Sequence, residues 1–284
     1  MTKISVIGSG TMGHGIAQVA AMAGYDVAIT DTTAAALDRA QSNVAGNLAG
    51  AVERGKATQE VADAALARIT FTGDRNAAVE NAQLVIEAII EDIDVKRSLF
   101  AELDSQADPS AILASNTSSL SIGQIAEVTE RPDKVVGMHF FNPVHIMKLV
   151  EIVSHADTSP ETLATVREVA EHMGKTAISV KDTPGFATSR LGVVLGLEAM
   201  RMVEQGVASP EDIDKAMELG YGHPMGPLRV SDLVGLDIRL AIAEHLFSEF
   251  HSTQYQPPQI LKDKVSSGEL GKKTGKGFYV WPKQ

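Results

Sequence analysis

The stretch G-M-H-F-F-N-P at residues 137–143 places His139 and Asn142 in an otherwise apolar setting, and Glu151 follows His139 by twelve positions. Oxidation of a hydroxyl group needs a base that takes the hydroxyl proton as hydride leaves the carbon. Neutral imidazole suits that task near pH 7, and a nearby carboxylate can fix its tautomer and stabilise the imidazolium. A histidine at the end of a strand is more often structural, so the interpretation depends on the residues upstream.

A glycine-rich motif near the start of the chain has the context of a dinucleotide-binding loop. Residues 8–13 match G-x-G-x-x-G, follow a short apolar strand at 4–7 and precede a helix at 14–23. A second strand at 26–30 completes a βαβ unit. This combination predicts a phosphate-binding loop, and the alternative is a tight turn whose glycines serve packing alone.

Each glycine of the motif has a distinct physical task. Gly8 permits the tight turn, Gly10 lets the backbone approach a pyrophosphate, and Gly13 allows close packing of helix on strand. The intervening Thr11 and Met12 lie where the helix begins, so their N–H groups and the helix dipole favour an anion.

Asp31 ends the second strand, 18 residues after Gly13, close to the spacing of about 20 at which a carboxylate binds ribose hydroxyls. The carboxylate would repel a 2′-phosphate, and no arginine lies beside it. We therefore expect NAD rather than NADP. The alternative for Asp31 is a simple helix N-cap.

The remaining elements predict an α/β fold with a second, helical domain. Residues 33–69 are rich in alanine and predict a helical hairpin that is inserted after the second strand. We predict a Rossmann-type, doubly wound, mostly parallel sheet in residues 1–183 and a smaller all-α domain in residues 184–284. Further strands are predicted at 83–87, 111–114, 135–139, 148–153 and 176–180.

In the second domain we predict helices at 187–205, 210–219 and 231–250, and one strand-like run at 278–280. Apolar positions on the first of these helices exceed what a small domain needs for its own core, which hints at a dimer interface.

Composition excludes several other classes. The 284 residues include no cysteine and carry a formal net charge of −11, which argues against thiolate chemistry and against a nucleic-acid partner. Without an apolar run of about 18 residues or a signal peptide at the start of this sequence, we expect no membrane association and a cytoplasmic location. Because no His/Asp/Glu cluster has metal-ligand spacing, we predict no metal.

Motifs in order along nearly the whole chain resemble the L-3-hydroxyacyl-CoA dehydrogenase family, and within it the bacterial single-function enzymes. They are G-S-G-T-M-G-H-G-I-A-Q at 8–18, V-I-E-A-I-I-E-D at 85–92, A-S-N-T-S-S-L at 114–120, G-M-H-F-F-N-P-V at 137–144, K-L-V-E at 148–151, K-D-T-P-G-F at 181–186, H-P-M-G-P at 223–227 and G-K-K-T-G-K-G-F-Y at 271–279.

The resemblance implies NAD-dependent oxidation of a 3-hydroxyacyl-CoA, most similar to 3-hydroxybutyryl-CoA dehydrogenase activity, in a homodimer. It implies that His139 is the general base, paired with Glu151, and that Ser118 and Asn142 bind the substrate's oxygen functions and the nicotinamide end of the cofactor. It also implies cofactor contacts for three further residues: Glu91, Lys96 and Lys273.

The chain departs from the family at three positions that the resemblance assigns to the substrate. Asn47 and Arg54 replace the serine and lysine of the hairpin that contact CoA, and both can still donate hydrogen bonds. Ser189 replaces an asparagine that faces the active site in the family, and its shorter side chain reaches a substrate less readily.

Three alternative functions stay open at this point. A β-hydroxyacid dehydrogenase acting on a non-CoA acid would share the Rossmann unit but would use a lysine base. A non-catalytic NAD-binding sensor would keep the glycine loop without needing His139, Glu151, Ser118 and Asn142 together. A module of a larger β-oxidation enzyme is disfavoured because the sequence stops soon after the motif at 271–279.

Overall fold

A computed structural model describes residues 1–282, which divide into two compact units, the first spanning Met1–Thr183 and the second beginning at Pro184. The strands and helices of the first unit, in chain order, are β1 (Lys3–Ile7), α1 (Gly13–Met22), β2 (Asp26–Thr30), α2 (Ala34–Glu53), α3 (Gln59–Ala67), β3 (Ile69–Thr72), α4 (Arg75–Val79), β4 (Leu84–Glu87), α5 (Ile93–Gln106), β5 (Ile112–Ser115), α6 (Ile122–Ala126), β6 (Val135–Phe140), β7 (Leu149–Ser154), α7 (Pro160–His172) and β8 (Thr176–Lys181).

The first unit is built on one eight-stranded sheet with the order β3-β2-β1-β4-β5-β6-β7-β8. All neighbouring strands are parallel except β6 and β7, which are antiparallel. The strand order reverses between β1 and β4, as in a doubly wound Rossmann sheet, and ligands of such sheets bind beyond the carboxyl ends of the strands at that point. The predicted fold class is therefore confirmed.

The central strands are buried on both faces, which explains their continuous apolar sequences. In β4 all four residues are buried, and in β6 all six are buried. The core of the unit joins these strands to α1, whose small residues allow close approach: Gly15 faces Val144, and a Cβ at Gly15 would lie 2.8 Å from the Val144 Cβ.

The helical hairpin is α2 and α3, each capped at its start by a threonine side chain. Thr33 Oγ1 accepts a hydrogen bond from Ala36 N, and Thr58 Oγ1 accepts one from Val61 N. Strand β3 follows the hairpin directly and pairs with β2. No strand is predicted there from the sequence, because Ile69–Thr72 is short and half polar.

The second unit is helical in the residues described: α8 (Thr188–Glu204), α9 (Pro210–Tyr221), α10 (Pro227–Val234), α11 (Leu236–Phe250) and α12 (Gln259–Ser266). The single helix predicted at 231–250 is wrong. Gly235 interrupts the helix with φ +104°, a backbone conformation that residues other than glycine rarely adopt, and so separates α10 from α11.

The strand predicted at 278–280 is also wrong, since only an isolated bridge joins Val280 to Lys276. The backbone N–H groups of Phe278 and Tyr279 instead donate to the buried carboxylate of Asp232, each at 2.9 Å. A side chain therefore satisfies the donors that a neighbouring strand would otherwise take.

Candidate active site

His139 and Glu151 face each other across the antiparallel pair of β6 and β7, where they are direct partners in the register. His139 Nδ1 lies 2.7 Å from Glu151 Oε2. Glu151 is fully buried and His139 is 7% exposed. Because directly opposed residues of a ladder lie on the same face, the strand register itself brings these two side chains together.

This contact determines which ring nitrogen of His139 can act as a base. An ionised carboxylate only accepts hydrogen bonds, so Nδ1 carries the hydrogen and Nε2 keeps its lone pair. The ring of Phe141 packs against the imidazole, with centroids 4.4 Å apart. The arrangement can accept a proton at Nε2 and stabilise the resulting cation through Glu151.

Ser118 lies in the loop after β5, at the sheet edge toward which β6 also runs. Its backbone N and its Oγ both donate to Glu91 Oε1, at 2.8 and 3.1 Å, and Thr117 Oγ1 donates to the same oxygen at 2.6 Å. The carboxylate of Glu91 thus fixes the backbone that carries Ser118, and Glu91 itself is 39% exposed at its side chain.

A buried ion pair lies beneath this loop. Lys96 Nζ is 2.5 Å from Glu87 Oε1 and 3.4 Å from Glu91 Oε2, and the side chains of Lys96 and Glu87 are 1% and 0% exposed. Ser115 Oγ donates to the other Glu87 oxygen at 2.6 Å. No role for Glu87 is predicted from the sequence, although a carboxylate at the end of an otherwise apolar strand indicates a buried partner.

Asn142 is the second residue after β6 and is exposed. A second amide, which the sequence analysis did not single out, holds the end of the same strand, because Asn116 Oδ1 accepts a hydrogen bond from Phe140 N at 2.9 Å. Asn116 follows β5, so it connects the Ser118 loop to the strand that carries His139.

The glycine loop between β1 and α1 leaves room for a ligand where a phosphate is expected. A Cβ at Gly10 would have no atom within 4 Å, whereas one at Gly13 would lie 1.8 Å from Gly8 O. Helix α1 begins at Gly13, and no side chain caps it. Its first N–H groups, which follow Thr11 and Met12, can therefore bind an anion, and the loop fits the pyrophosphate of a dinucleotide.

Asp31 lies at the end of β2, beside the glycine loop. Its Oδ2 accepts hydrogen bonds from Ser9 N and Ser9 Oγ, both at 2.8 Å, and its Oδ1 accepts one from Thr32 N. Burial raises the pKa of the Asp31 carboxyl, but the hydrogen bonds from Ser9 and Thr32 outweigh it, so the pKa lies below its ordinary value. The carboxylate is therefore ionised, as ribose binding requires.

The hairpin residues lie on α2 and at its end. Asn47 Nδ2 donates to Gln18 Oε1 of α1 at 3.0 Å. Arg54 is the C-cap of α2 and is exposed. Asn47 thus connects the hairpin to the helix that follows the glycine loop.

Positive charge gathers near Arg54, a feature that the sequence analysis did not recognise. Burial lowers the pKa of His145, and the charges of His14, Lys175 and Arg54 lower it further. Lys175 is buried, donates to Met147 O at 2.9 Å and to Val144 O, and has a pKa lowered by burial. These groups belong to α1, the end of α2, the segment before β7 and the turn before β8.

The two candidate residues of the second unit lie at opposite ends of its sequence. Ser189 is the second residue of α8. Lys273 Nζ lies 2.6 Å from Asp237 Oδ2 at the start of α11, and both side chains are partly exposed. The ion pair, with burial opposing it, holds the pKa of Asp237 below its ordinary value.

Residues 1–282 lack two features. No helix in that range is long and apolar enough to span a bilayer. Over the same residues, no group of three or more His, Cys, Asp or Glu side chains could hold a metal ion.

Comparison with known proteins gives consistent matches over both units. Residues 3–183 match the family model "3-hydroxyacyl-CoA dehydrogenase, NAD binding domain", and residues 185–281 match "3-hydroxyacyl-CoA dehydrogenase, C-terminal domain". A 3-hydroxybutyryl-CoA dehydrogenase of Mycobacterium tuberculosis is 45% identical over 281 residues, with 98% of each chain covered. A probable 3-hydroxybutyryl-CoA dehydrogenase of Bacillus subtilis is 46% identical over 98% of this chain and 96% of its own.

Among solved structures, the (S)-3-hydroxybutyryl-CoA dehydrogenase of Ralstonia eutropha superposes with a TM-score of 0.96. It is 40% identical, and the match covers 100% of both chains.

Proposed function

The chain belongs to the 3-hydroxyacyl-CoA dehydrogenase family and is an NAD-dependent oxidoreductase, and from that premise we propose its substrate and its site residues. The reaction is (3S)-3-hydroxyacyl-CoA + NAD⁺ to 3-oxoacyl-CoA + NADH + H⁺, and the reverse, with a short acyl chain such as 3-hydroxybutyryl. The buried 2.7 Å contact between His139 and Glu151 carries the proposal, because it supplies an oriented base in a chain that also holds a dinucleotide loop.

In this mechanism His139 Nε2 accepts the proton of the C3 hydroxyl. Glu151 holds the imidazole in the required tautomer and stabilises the imidazolium. Bound NAD⁺ supplies the hydride acceptor. In the reverse reaction the His139 imidazolium returns the proton to the C3 oxygen, and Ser118 and Asn142 orient the oxygen functions and the nicotinamide end.

Two of the proposed cofactor contacts lie in the first βαβ unit. The loop of Gly8, Gly10, Thr11, Met12 and Gly13 takes the pyrophosphate, and the open space at Gly10 supports that assignment. Asp31, which is ionised and fixed by Ser9, accepts hydrogen bonds from the ribose hydroxyls.

The other cofactor residues are Glu91, Lys96 and Lys273. Glu91 contributes to cofactor binding through its partly exposed carboxylate, and it also accepts the hydrogen bond that fixes the backbone of Ser118. Lys96 contributes by fixing Glu91 and Glu87, since its own ammonium is buried between them. Lys273, in the second unit, is assigned a cofactor contact through its ammonium, and its side chain is partly exposed.

The substrate's CoA portion is assigned to the hairpin, through Asn47 and Arg54. The positive charges of Arg54 and Lys175 suit the phosphates of CoA, which gives this assignment a physical basis beyond the resemblance. Ser189 of the second unit is assigned to the acyl portion.

The enzyme is further proposed to be a cytoplasmic homodimer that associates through the second unit. Large apolar side chains on α8 and α11 support this, since Leu191, Leu195 and Ile238 are 65%, 43% and 45% exposed. Light scattering in solution tests it: a mass of about 60 kDa, twice the chain mass of 30.1 kDa, is expected, and a monomer contradicts it.

The decisive assay for the activity is the NADH-dependent reduction of acetoacetyl-CoA, followed at 340 nm, beside the same assay with acetoacetate. Turnover of the CoA ester, with that of the non-CoA acid at least about 100-fold lower in kcat/KM, is expected, since much of the binding energy lies in the CoA portion. Comparable turnover of acetoacetate indicates a dehydrogenase of non-CoA acids. NADH binding without turnover of either compound indicates a sensor.

A further inference from the structure

An arginine occupies a core position of α11 in the second unit. The buried residues of this helix are Leu236, Arg239, Ala243 and Leu246, a spacing of three, four and three that forms one face. Three of the four are apolar, as expected for a face turned toward a hydrophobic core. Arg239 is only 8% exposed.

Within residues 1–282 the guanidinium of Arg239 has neither an ion pair nor a hydrogen bond. Its Nε is fully enclosed without a hydrogen-bond partner. Burial alone lowers the pKa of Arg239 to about 10, with no carboxylate opposing the effect, so the group remains charged at neutral pH. A buried charge without a partner is costly, and such a residue calls for an anion that residues 1–282 do not supply.

The other arginines of the second unit show how unusual this is. Arg190 Nε donates to Tyr255 Oη at 2.8 Å, with its guanidinium 4.5 Å from the Phe250 ring centroid. Arg201 donates to backbone carbonyls and to Glu198. Arg229 is exposed and stacks on Tyr279.

The guanidinium of Arg239 points toward the first turns of α8. A Cβ at Gly192 would lie 3.3 Å from Nη1 and 3.9 Å from Nη2, so the glycine gives the guanidinium its space. Ser189 precedes Gly192 by three residues and lies on the same side of the helix, where side chains are about 5–6 Å apart. The unpaired cation is therefore next to the residue that the proposed function assigns to the acyl portion of the substrate.

The terminal nitrogens remain open to a ligand. Of the three nitrogens of the Arg239 guanidinium, only Nε is both fully enclosed and without a hydrogen bond. Nη1 and Nη2 also have no hydrogen bond within residues 1–282, so they keep some solvent-accessible surface. Two parallel N–H donors at the end of a guanidinium match the two oxygens of a carboxylate.

We propose that Arg239 binds a carboxylate at the far end of the acyl chain, so that the substrates of this enzyme include 3-hydroxyacyl-CoA esters of dicarboxylic acids. This inference rests on the proposed function, because that proposal assigns Ser189 of α8 to the acyl portion of a 3-hydroxyacyl-CoA. It specifies the class of acyl group that the enzyme prefers and makes Arg239 the residue that determines that preference.

The test compares matched pairs of substrates that differ only in the terminal group. The 3-hydroxy CoA esters of C5, C6 and C8 dicarboxylic acids are each assayed with NAD⁺ beside the monocarboxylic ester of equal length. For at least one length we expect the wild-type kcat/KM to favour the dicarboxylic ester about tenfold or more, the effect of a charged hydrogen bond in a buried place. Equal or lower kcat/KM for every dicarboxylic ester overturns the inference.

Variants then locate the preference. Arg239→Met should reduce the ratio to about one while kcat/KM for the neutral esters changes little, and Arg239→Lys should keep part of it. Arg229→Met, which removes an exposed arginine of the same unit, is the matched control and should leave the ratio unchanged. Because each ratio is measured within one enzyme, a loss of folded protein cancels.

Two other results would overturn the inference. If Arg239→Met raises KM for neutral and dicarboxylic esters alike, the guanidinium contacts the CoA portion. If the variant changes the mass in light scattering but not the substrate ratio, its partner is a carboxylate of a second copy. Failure of the proposed function is distinct, since no 3-hydroxyacyl-CoA of either kind would then be oxidised.

Discussion

Lys96 and Arg239 are both buried cations, one in each unit, and their surroundings are opposite. The ammonium of Lys96 lies between Glu87 and Glu91, and Glu87 in turn accepts from Ser115 and from the backbone of Ile89. The guanidinium of Arg239 has no such partner among residues 1–282, and its Nε is fully enclosed.

The difference distinguishes Lys96, whose charge is compensated by the protein, from Arg239, whose charge we propose to be compensated by a ligand. Burying an ion is costly unless the protein compensates it, and compensation within the chain is what fixes a loop or a strand end. The Lys96 network holds the loop that carries Ser118. Arg239 forms no ion pair or side-chain hydrogen bond within residues 1–282, and we therefore propose a carboxylate of the substrate as its partner.

The largest expected effect contrasts these two cations directly. Lys96→Met leaves Glu87 buried without its counter-ion and should lower the free energy of unfolding by about 3–5 kcal/mol. Arg239→Met fills an apolar position and should leave the protein equally stable or more stable. Urea denaturation of both variants provides the measurement. A similar loss of stability in both would show that Arg239 is also compensated by the protein.

The next effect concerns the pair formed by His139 and Glu151. Glu151→Gln keeps the shape of the side chain but can donate its amide hydrogen to Nδ1, which favours the tautomer with the hydrogen on Nε2 and removes the base. We expect kcat to fall about 100-fold. NADH affinity, measured by fluorescence titration, should stay within about threefold. A kcat near that of the wild type would mean that Glu151 does not orient His139.

Asp31 provides the smallest effect, because its partners are hydrogen bonds from Ser9 and Thr32 rather than a counter-ion. Asp31→Ala should raise KM for NAD⁺ about tenfold, the value of one or two charged hydrogen bonds, and change KM for the acyl-CoA little. Asp26→Ala, at the exposed start of the same strand, is the control and should change neither KM. An equal rise in both KM values for Asp31→Ala would contradict a role limited to the cofactor.

The same carboxyl gives a pH dependence of stability. Its pKa in the folded protein is lowered, so its contribution is complete above the unfolded value, near 3.9, and is lost as pH falls through the folded pKa. Thermal unfolding of wild type and Asp31→Asn should therefore differ at pH 7 and converge below about pH 4. A difference that persists unchanged at lower pH would contradict this origin.

The first unit could be predicted in detail because its signals are local. A strand, three glycines, a helix and an acidic strand end lie within residues 3–31, and each has a physical reason that is readable from the sequence. Strand β3 was missed because its alternating pattern extends over only four residues that follow a helix almost directly. The break at Gly235 was missed because apolar residues continue across it at helical spacing.

The site was predictable where residue types are specific and was not where pairing depends on distant parts of the chain. The types of His139 and Glu151 suggest a base and its partner, but only the antiparallel register of β6 and β7 sets them side by side. No sequence pattern indicates a role for Arg239, because its significance is the absence of a partner among residues 1–282, which only the packing of α8 on α11 reveals.

The central claim is that His139 is the base of an NAD-dependent oxidation of 3-hydroxyacyl-CoA. The most direct test measures kcat of His139→Ala with 3-hydroxybutyryl-CoA together with its affinity for NADH. We predict that kcat falls about 10²–10⁴-fold, the usual contribution of a general base, while the Kd for NADH stays within about threefold of the wild type. A variant that binds NADH normally and turns over near the wild-type rate would contradict the mechanism.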